Sequence, residues 1–85
     1  SEILVIRNMT DVADATAQTK NVTVVMDKDV IADLNGKDLK FYSENKGEIA
    51  NSFKLVVNEN ATLRAGNVYV RGNLDIEGML KTEQN

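Results

Sequence analysis

The stretch that decides the fold is Asn67-Val-Tyr-Val-Arg-Gly72, which is followed directly by Asn73-Leu-Asp-Ile-Glu-Gly78. With Gly66 included, three glycines are spaced six residues apart, and an asparagine follows each of the first two. Six-residue units in which a very short strand ends at a glycine are typical of β-solenoids, whose chain turns every few residues. We therefore predict structural corners at Gly66, Gly72 and Gly78.

The apolar residues of these units recur at two positions. Val68 and Leu74 share one position, and Val70 and Ile76 share the other. Side chains two residues apart lie on the same face of a strand, so we predict that these four residues belong to the core. Short strands between glycine turns also fit an antiparallel meander. The predicted fold class is all-β: a short β-solenoid-like module or, alternatively, a small β-sandwich or barrel.

Upstream of the hexads, apolar residues alternate with other residues in a manner typical of strands with one buried face. The segments are 22–26, 30–34, 39–41 and 53–57. Turn-forming residues separate the first three segments, namely Asp27-Lys28-Asp29 and Asn35-Gly36. The polar stretch 43–52 predicts a longer loop before the fourth.

The first twenty residues differ in character from the rest. Ile3 to Ile6 is a short apolar run, which predicts a strand. Asp11 to Gln18 can form a short helix with Asn8 or Thr10 as its N-cap, and an extended arm is the alternative. We accordingly predict a single domain made of an N-terminal strand or arm with a short helix (1–20) and a β module (21–85).

Composition limits what the chain can do. It has 85 residues, no Cys and no His, and a formal net charge of -3. A core this small usually needs disulfides, a metal or oligomerisation for support, and the missing residue types leave oligomerisation. The weak negative charge argues against nucleic-acid binding, and no apolar run reaches the roughly 20 residues of a membrane span. We expect no catalytic site, metal or cofactor.

Two acidic clusters were candidates for chemistry. Asp27, Asp29 and Asp33 are oxygen ligands of the kind that calcium prefers, but their spacing does not match an EF-hand loop, so a solvated turn is the simpler interpretation. Asp75 and Glu77 share one strand face, as the two carboxylates of a glycosidase could. On a short exposed strand without a groove, we interpret them as charges that discourage edge pairing.

The candidate partner contacts are Arg64, Tyr69 and Arg71. The two arginines, with Lys81, suggest a basic strip that could meet an acidic partner or a neighbouring subunit. Tyr69, with Tyr42 and Phe53, could instead give a sugar-stacking platform. The chain is poor in aromatic residues (5%), which weighs against that second interpretation.

Two parts of the sequence resemble known families. Asn21-Val-Thr-Val-Val-Met26 and the segment 30–39, after a short helix, resemble the entrance coils of right-handed parallel β-helices in the pectin-lyase-like and phage tailspike families. The hexads resemble bactofilin-type solenoids. The resemblance implies an architecture and a context in phage structural proteins, adhesins and carbohydrate-binding surfaces. It carries over no catalytic site, because this chain is long enough for only a few coils.

From these observations we expect a non-enzymatic structural protein that acts by oligomeric assembly. A homo-oligomer, with a trimer favoured, would bury the unpaired ends of a short solenoid. A virion component such as a phage capsid decoration or fibre protein, docked on a capsid or other protein lattice, fits best. The alternative is a carbohydrate- or protein-binding module. We expect the virion as location, and otherwise the cytoplasm.

Overall fold

The computed structural model describes residues 2–42, 44–45, 48–49 and 51–83. This part of the chain is mostly β-strand with one short helix. In chain order the elements are β1 (Glu2–Ile6), α1 (Met9–Thr16), β2 (Val22–Met26), β3 (Ile31–Asp33), β4 (Leu39–Phe41), β5 (Glu44–Asn45), β6 (Glu48–Ile49), β7 (Phe53–Val57), β8 (Thr62–Ala65), β9 (Val68–Val70), β10 (Gly72–Ile76) and β11 (Met79–Thr82).

Three parallel sheets are built from these strands, in the orders β1-β2-β7-β10, β3-β8-β11 and β4-β9. We call them the first, second and third sheets. The chain visits them in turn: β2, β3 and β4 make one circuit, β7, β8 and β9 the next, and β10 and β11 follow. From β2 to β4 and from β7 to β11, consecutive strands lie in different sheets and pair in parallel, so the antiparallel meander considered above is wrong, and the described strands form no closed barrel.

In-register pairing places matching side chains above one another in rows that run across each sheet. In the first sheet, Val24 pairs with Leu55 and Leu55 with Leu74. Val24 and Leu55 are fully buried, as the period-two pattern predicts. The buried apolar core is Ile6, Val12, Ala15, Val22, Val24, Met26, Ala32, Leu39, Phe41, Phe53, Leu55, Val57, Ala61, Leu63 and Ala65.

Helix α1 closes one end of this core. Its N-cap is Asn8, whose side chain accepts a hydrogen bond of 2.9 Å from the backbone N–H of Asp11. The helix packs against β1 and β4 and buries Val12 and Ala15. The predicted helix is therefore present, beginning and ending about two residues earlier than expected, and residues 2–20 share one core with the rest of the chain.

The corner between the first and second sheets repeats in successive circuits. Asp29 and Asn60 occupy equivalent places with φ of 65° and 66°, a left-handed conformation that Asp and Asn tolerate better than most residues. Each turn is closed by the same kind of hydrogen bond, from Val30 N–H to the Asp27 carbonyl and from Ala61 N–H to the Asn58 carbonyl. The circuits are therefore structural repeats.

The three glycines lie between strands or at the start of one. Gly66 lies between β8 and β9, Gly72 begins β10, and Gly78 lies between β10 and β11. A side chain at any of them would overlap backbone atoms of the preceding circuit. Only Gly72 also has a φ that disfavours other residues, +141°, and a Cβ there would collide with the carbonyl oxygen of Phe53.

The stretch 43–52 is a departure from the circuits. Its described part contains a short antiparallel pair of β5 with β6, and Ser43, Lys46, Gly47 and Ala50 lie outside the described residues. The predicted loop is thus partly a hairpin between β4 and β7. Within the described residues, α1 is too short and too polar to cross a membrane.

Candidate assembly surface

The end of the core opposite α1 is formed by β9, β10 and β11, and we call it the open end. In the described part of the chain, each of these strands is the last in its sheet. Leu74 continues the buried row of Val24 and Leu55, and Ile76 continues the row of Met26 and Val57. Among the described strands none lies over them, so the first sheet ends there in apolar side chains on the core side.

The predicted burial of Leu74 and Ile76 needs correction for the single chain. Leu74 is 53% exposed and Ile76 is 37% exposed, whereas Leu55 in the same row as Leu74 is 0% exposed. The sequence pattern gave the face of the strand correctly, but burial also requires a covering layer. The other two predicted core residues, Val68 and Val70, are half-buried and pack against the core from the last strand of the third sheet.

The backbone of β10 also has an unpaired side. Phe53 N–H donates to the Arg71 carbonyl at 2.7 Å, and Glu77 N–H donates to the Val57 carbonyl at 2.9 Å. Hydrogen-bonding direction alternates along a strand, so the odd-numbered residues from 71 to 77 face β7. The N–H and C=O groups of Gly72, Leu74 and Ile76 therefore point to the open side.

The predicted partner contacts do not form one strip. Arg64 lies on the outer face of β8 beside Lys81 of β11, with its Nη2 3.9 Å from Glu83 Oε1. Arg71 lies on another corner, between β9 and β10, where its Nη1 donates to the Asn51 carbonyl at 3.1 Å. The predicted basic strip is therefore limited to Arg64 and Lys81, and Arg71 lies apart from them, beside the open end.

Aromatic residues give no stacking platform. Phe41 and Phe53 are in the core with ring centroids 5.7 Å apart. Tyr42 is half-buried, and Tyr69 is 44% exposed with the Lys40 ammonium 5.8 Å from its ring centroid. The chain therefore presents one exposed aromatic ring, which is already covered in part by a cation.

One surface row and one buried polar residue are not evident from the sequence. On the outer face of the second sheet, Ile31 and Met79 flank Thr62 in one row and are 75% and 47% exposed. Asn51 is 1% exposed and donates from Nδ2 to the carbonyls of Gln18 and Lys20 at 3.3 and 3.0 Å. The alternation of Val30, Ala32 and Leu34 leaves Ile31 on the opposite face of its strand but does not reveal its pairing with Thr62, and Asn51 is one residue of the polar stretch 43–52.

Two shallow grooves lie on the surface of the described residues. No group of three or more acidic side chains in the described residues converges as a metal ion would require. A shallow groove of about 280 Å³ between two corners contains Glu59 and Glu77, and another of about 340 Å³ is lined mainly by polar residues of the first sheet.

Comparison with known proteins finds no matching family model, no matching curated protein and no matching solved structure. The function is therefore inferred from the geometry of the described residues.

Proposed function

We propose that this chain is a short parallel β-solenoid that acts as a non-enzymatic structural protein by homo-oligomeric assembly through its open end. The observation that carries the proposal is the exposure of Leu74 and Ile76 in rows that are otherwise buried. The circuits through three parallel sheets support the solenoid architecture, because each circuit stacks on the preceding one.

The contrast between the two ends supports assembly. Helix α1 covers the core at the β1 end, whereas the open end combines apolar side chains with outward-pointing backbone groups. Such an uncovered strand edge is a template for pairing with another chain, and natural proteins usually cover or blunt it. Of the residues on β10, only Asp75 carries a charge, and it lies on the outer face.

The number of copies in the proposed oligomer depends on which surfaces of the chain make contacts between copies. One strand edge pairs with one other edge, so contact through the open end alone joins copies in pairs. The trimer favoured from the sequence requires a contact through an outer face as well. The row of Ile31, Thr62 and Met79 is the candidate surface for it, because two of its three side chains are exposed apolar groups.

Within this class we propose a virion component, such as a phage capsid decoration or fibre protein docked on a protein lattice. The sequence contains no Cys and therefore no disulfide to support its small core. Binding of repeated copies to a lattice would stabilise the folded chain by mass action. The gene position tests this version: a place among genes for particle proteins is expected, and a place within an operon of metabolic enzymes would contradict it.

Assembly itself is tested by measuring molar mass with light scattering and native mass spectrometry. We expect the natural chain to exceed the monomer mass of 9.4 kDa. Leu74→Lys should give a folded monomer, because it places a charge on the core side of the open edge. Asn73→Lys adds the same charge on the outer side of the same strand and should leave assembly intact.

A natural chain that stays monomeric at high micromolar concentration would refute the proposal. So would a Leu74→Lys variant that assembles as well as Asn73→Lys. Far-UV circular dichroism of both variants separates loss of assembly from loss of folding.

A further inference from the structure

The edge of β10 is self-complementary when two copies run antiparallel with Leu74 opposite Leu74. In that register Arg71 of each copy faces Glu77 of the other, and Asn73 faces Asp75. All four of these side chains lie on the outer side of the strand, because they alternate with Gly72, Leu74 and Ile76. The facing pairs are thus opposite charges and an amide with a carboxylate, which are favourable cross-strand pairs.

The same register satisfies the unpaired backbone. Gly72, Leu74 and Ile76 direct their N–H and C=O groups to the open side, as the alternation from Arg71 to Glu77 requires. Directly opposite residues of an antiparallel pair exchange both hydrogen bonds. The two Leu74 residues would exchange both backbone hydrogen bonds, and Gly72 of each copy would do the same with Ile76 of the other. Every open-side N–H and C=O group of these three residues would then have a partner.

Neighbouring registers fit less well. A pair centred on Asp75 would set two carboxylates against each other, which is unfavourable. A pair centred on Asn73 would place Leu74 opposite Gly72 and lose the contact between the two leucines. Charge and apolar contact therefore select the pair centred on Leu74.

If the chain assembles as proposed above, we infer that a second copy of the chain covers the open end, with the two β10 strands antiparallel and Leu74 on a two-fold axis. The chain rises continuously from β9 through β10 to β11. The axis therefore also brings β11 of one copy against β9 of the other. Half-buried Val68, Val70 and Leu80 would then be covered at the same time as Leu74.

The contact is small, and the dimer should dissociate on dilution. The β10 edge is only five residues long (Gly72–Ile76), and a contact built on so short an edge belongs to the small, weak class of interfaces. A two-fold contact uses the β10 edge of both copies, so pairing through this surface stops at two copies.

Register-specific disulfides test this arrangement, since the chain has no cysteine of its own. Asn73→Cys and Asp75→Cys proteins are prepared, one of them ¹⁵N-labelled, mixed at high micromolar concentration and mildly oxidised. Residues 73 and 75 of opposite copies face each other as a pair that is not hydrogen-bonded, with Cα atoms about 4.5 Å apart, within disulfide range. Like residues lie about 7–8 Å apart, beyond it.

The expected product is the mixed disulfide, well above the half share that random collision would give. Lys54→Cys, on the outer face of the covered strand β7, serves as the control and should stay reduced. If the natural chain assembles but the mixed disulfide shows no excess, the two-fold contact is refuted while the proposed function stands. A monomeric natural chain refutes both, and a predominance of either homodisulfide refutes the register.

Discussion

Leu55 and Leu74 make a matched pair for testing the open end, because they are the same residue in adjacent positions of one row. Leu55 is 0% exposed, and truncation to alanine leaves a cavity, which in comparable cores costs about 2.7–5.0 kcal/mol. Leu74 is 53% exposed, so about half of its transfer free energy is gained in the single chain, and Leu74→Ala should cost about 1 kcal/mol.

Urea unfolding at low micromolar concentration, where copies are separate, measures this difference. With a denaturant slope of about 1 kcal/mol/M for a small domain, the midpoint should fall by about 3–5 M for Leu55→Ala and by about 1 M for Leu74→Ala. The larger loss approaches the total stability of about 4–13 kcal/mol expected for 85 residues, so Leu55→Ala is expected to be partly unfolded without urea.

Concentration then separates the two residues in another way. The cost of Leu74→Ala should grow as the protein concentration rises, because the proposed pairing would stabilise the natural chain and the variant would lose that gain. The cost of Leu55→Ala should stay the same. Equal costs for the two variants in the dilute protein would refute the claim that Leu74 is uncovered in the single chain.

Three further substitutions test the fold. Gly72→Ala should destabilise the fold by about 3 kcal/mol or more, because the new Cβ would collide with backbone atoms at a φ that is already unfavourable. Gly36→Ala should cost about 1 kcal/mol, because its Cβ would meet only the flexible Glu83 side chain. Equal urea midpoints for the two variants would contradict this. Asn51→Ala should cost about 1 kcal/mol by removing the part-buried hydrogen bonds from Nδ2 to the Gln18 and Lys20 carbonyls, and an unchanged melting temperature would contradict it. Asn8→Ala should cost about 1 kcal/mol by removing the N-cap, which Asn8→Asp should largely retain.

The strands were predictable from the sequence, but their partners were not. Alternation within 22–26 and 53–57 depends only on neighbouring residues and correctly gave Val24 and Leu55 as buried. Parallel pairing depends on which distant segments align with each other, and the unequal spacing of the repeats hides that alignment in the sequence. Residues 24–33 align with 55–64, including the corner that contains Asp29 and Asn60, but the inserted stretch between β4 and β7 lengthens the repeat.

The candidate surface was predicted only in part for a related reason. Period-two patterning places Leu74 and Leu55 on the same face, and it contains no information on how many layers lie above each one. The charged residues were harder still, because Arg64 and Arg71 are seven positions apart in sequence, but Arg64 lies within β8 of the second sheet and Arg71 lies at the corner between β9 and β10. A turn between two strands changes the direction of every following side chain, which spacing alone does not reveal.

The difference between the two ends limits the kind of assembly that the fold can support. A filament of stacked copies needs an available strand edge at both ends of each copy. Here α1 packs on β1 and β4 and contributes Val12 and Ala15 to the core, so the core is covered at that end, while the outer edge of β1 has no partner among the described strands. The two-fold contact proposed for the open end uses the β10 edge of both copies, so growth through it stops after one contact. A module built in this way suits a closed, finite complex, such as a decoration on a particle, better than an open fibre of its own.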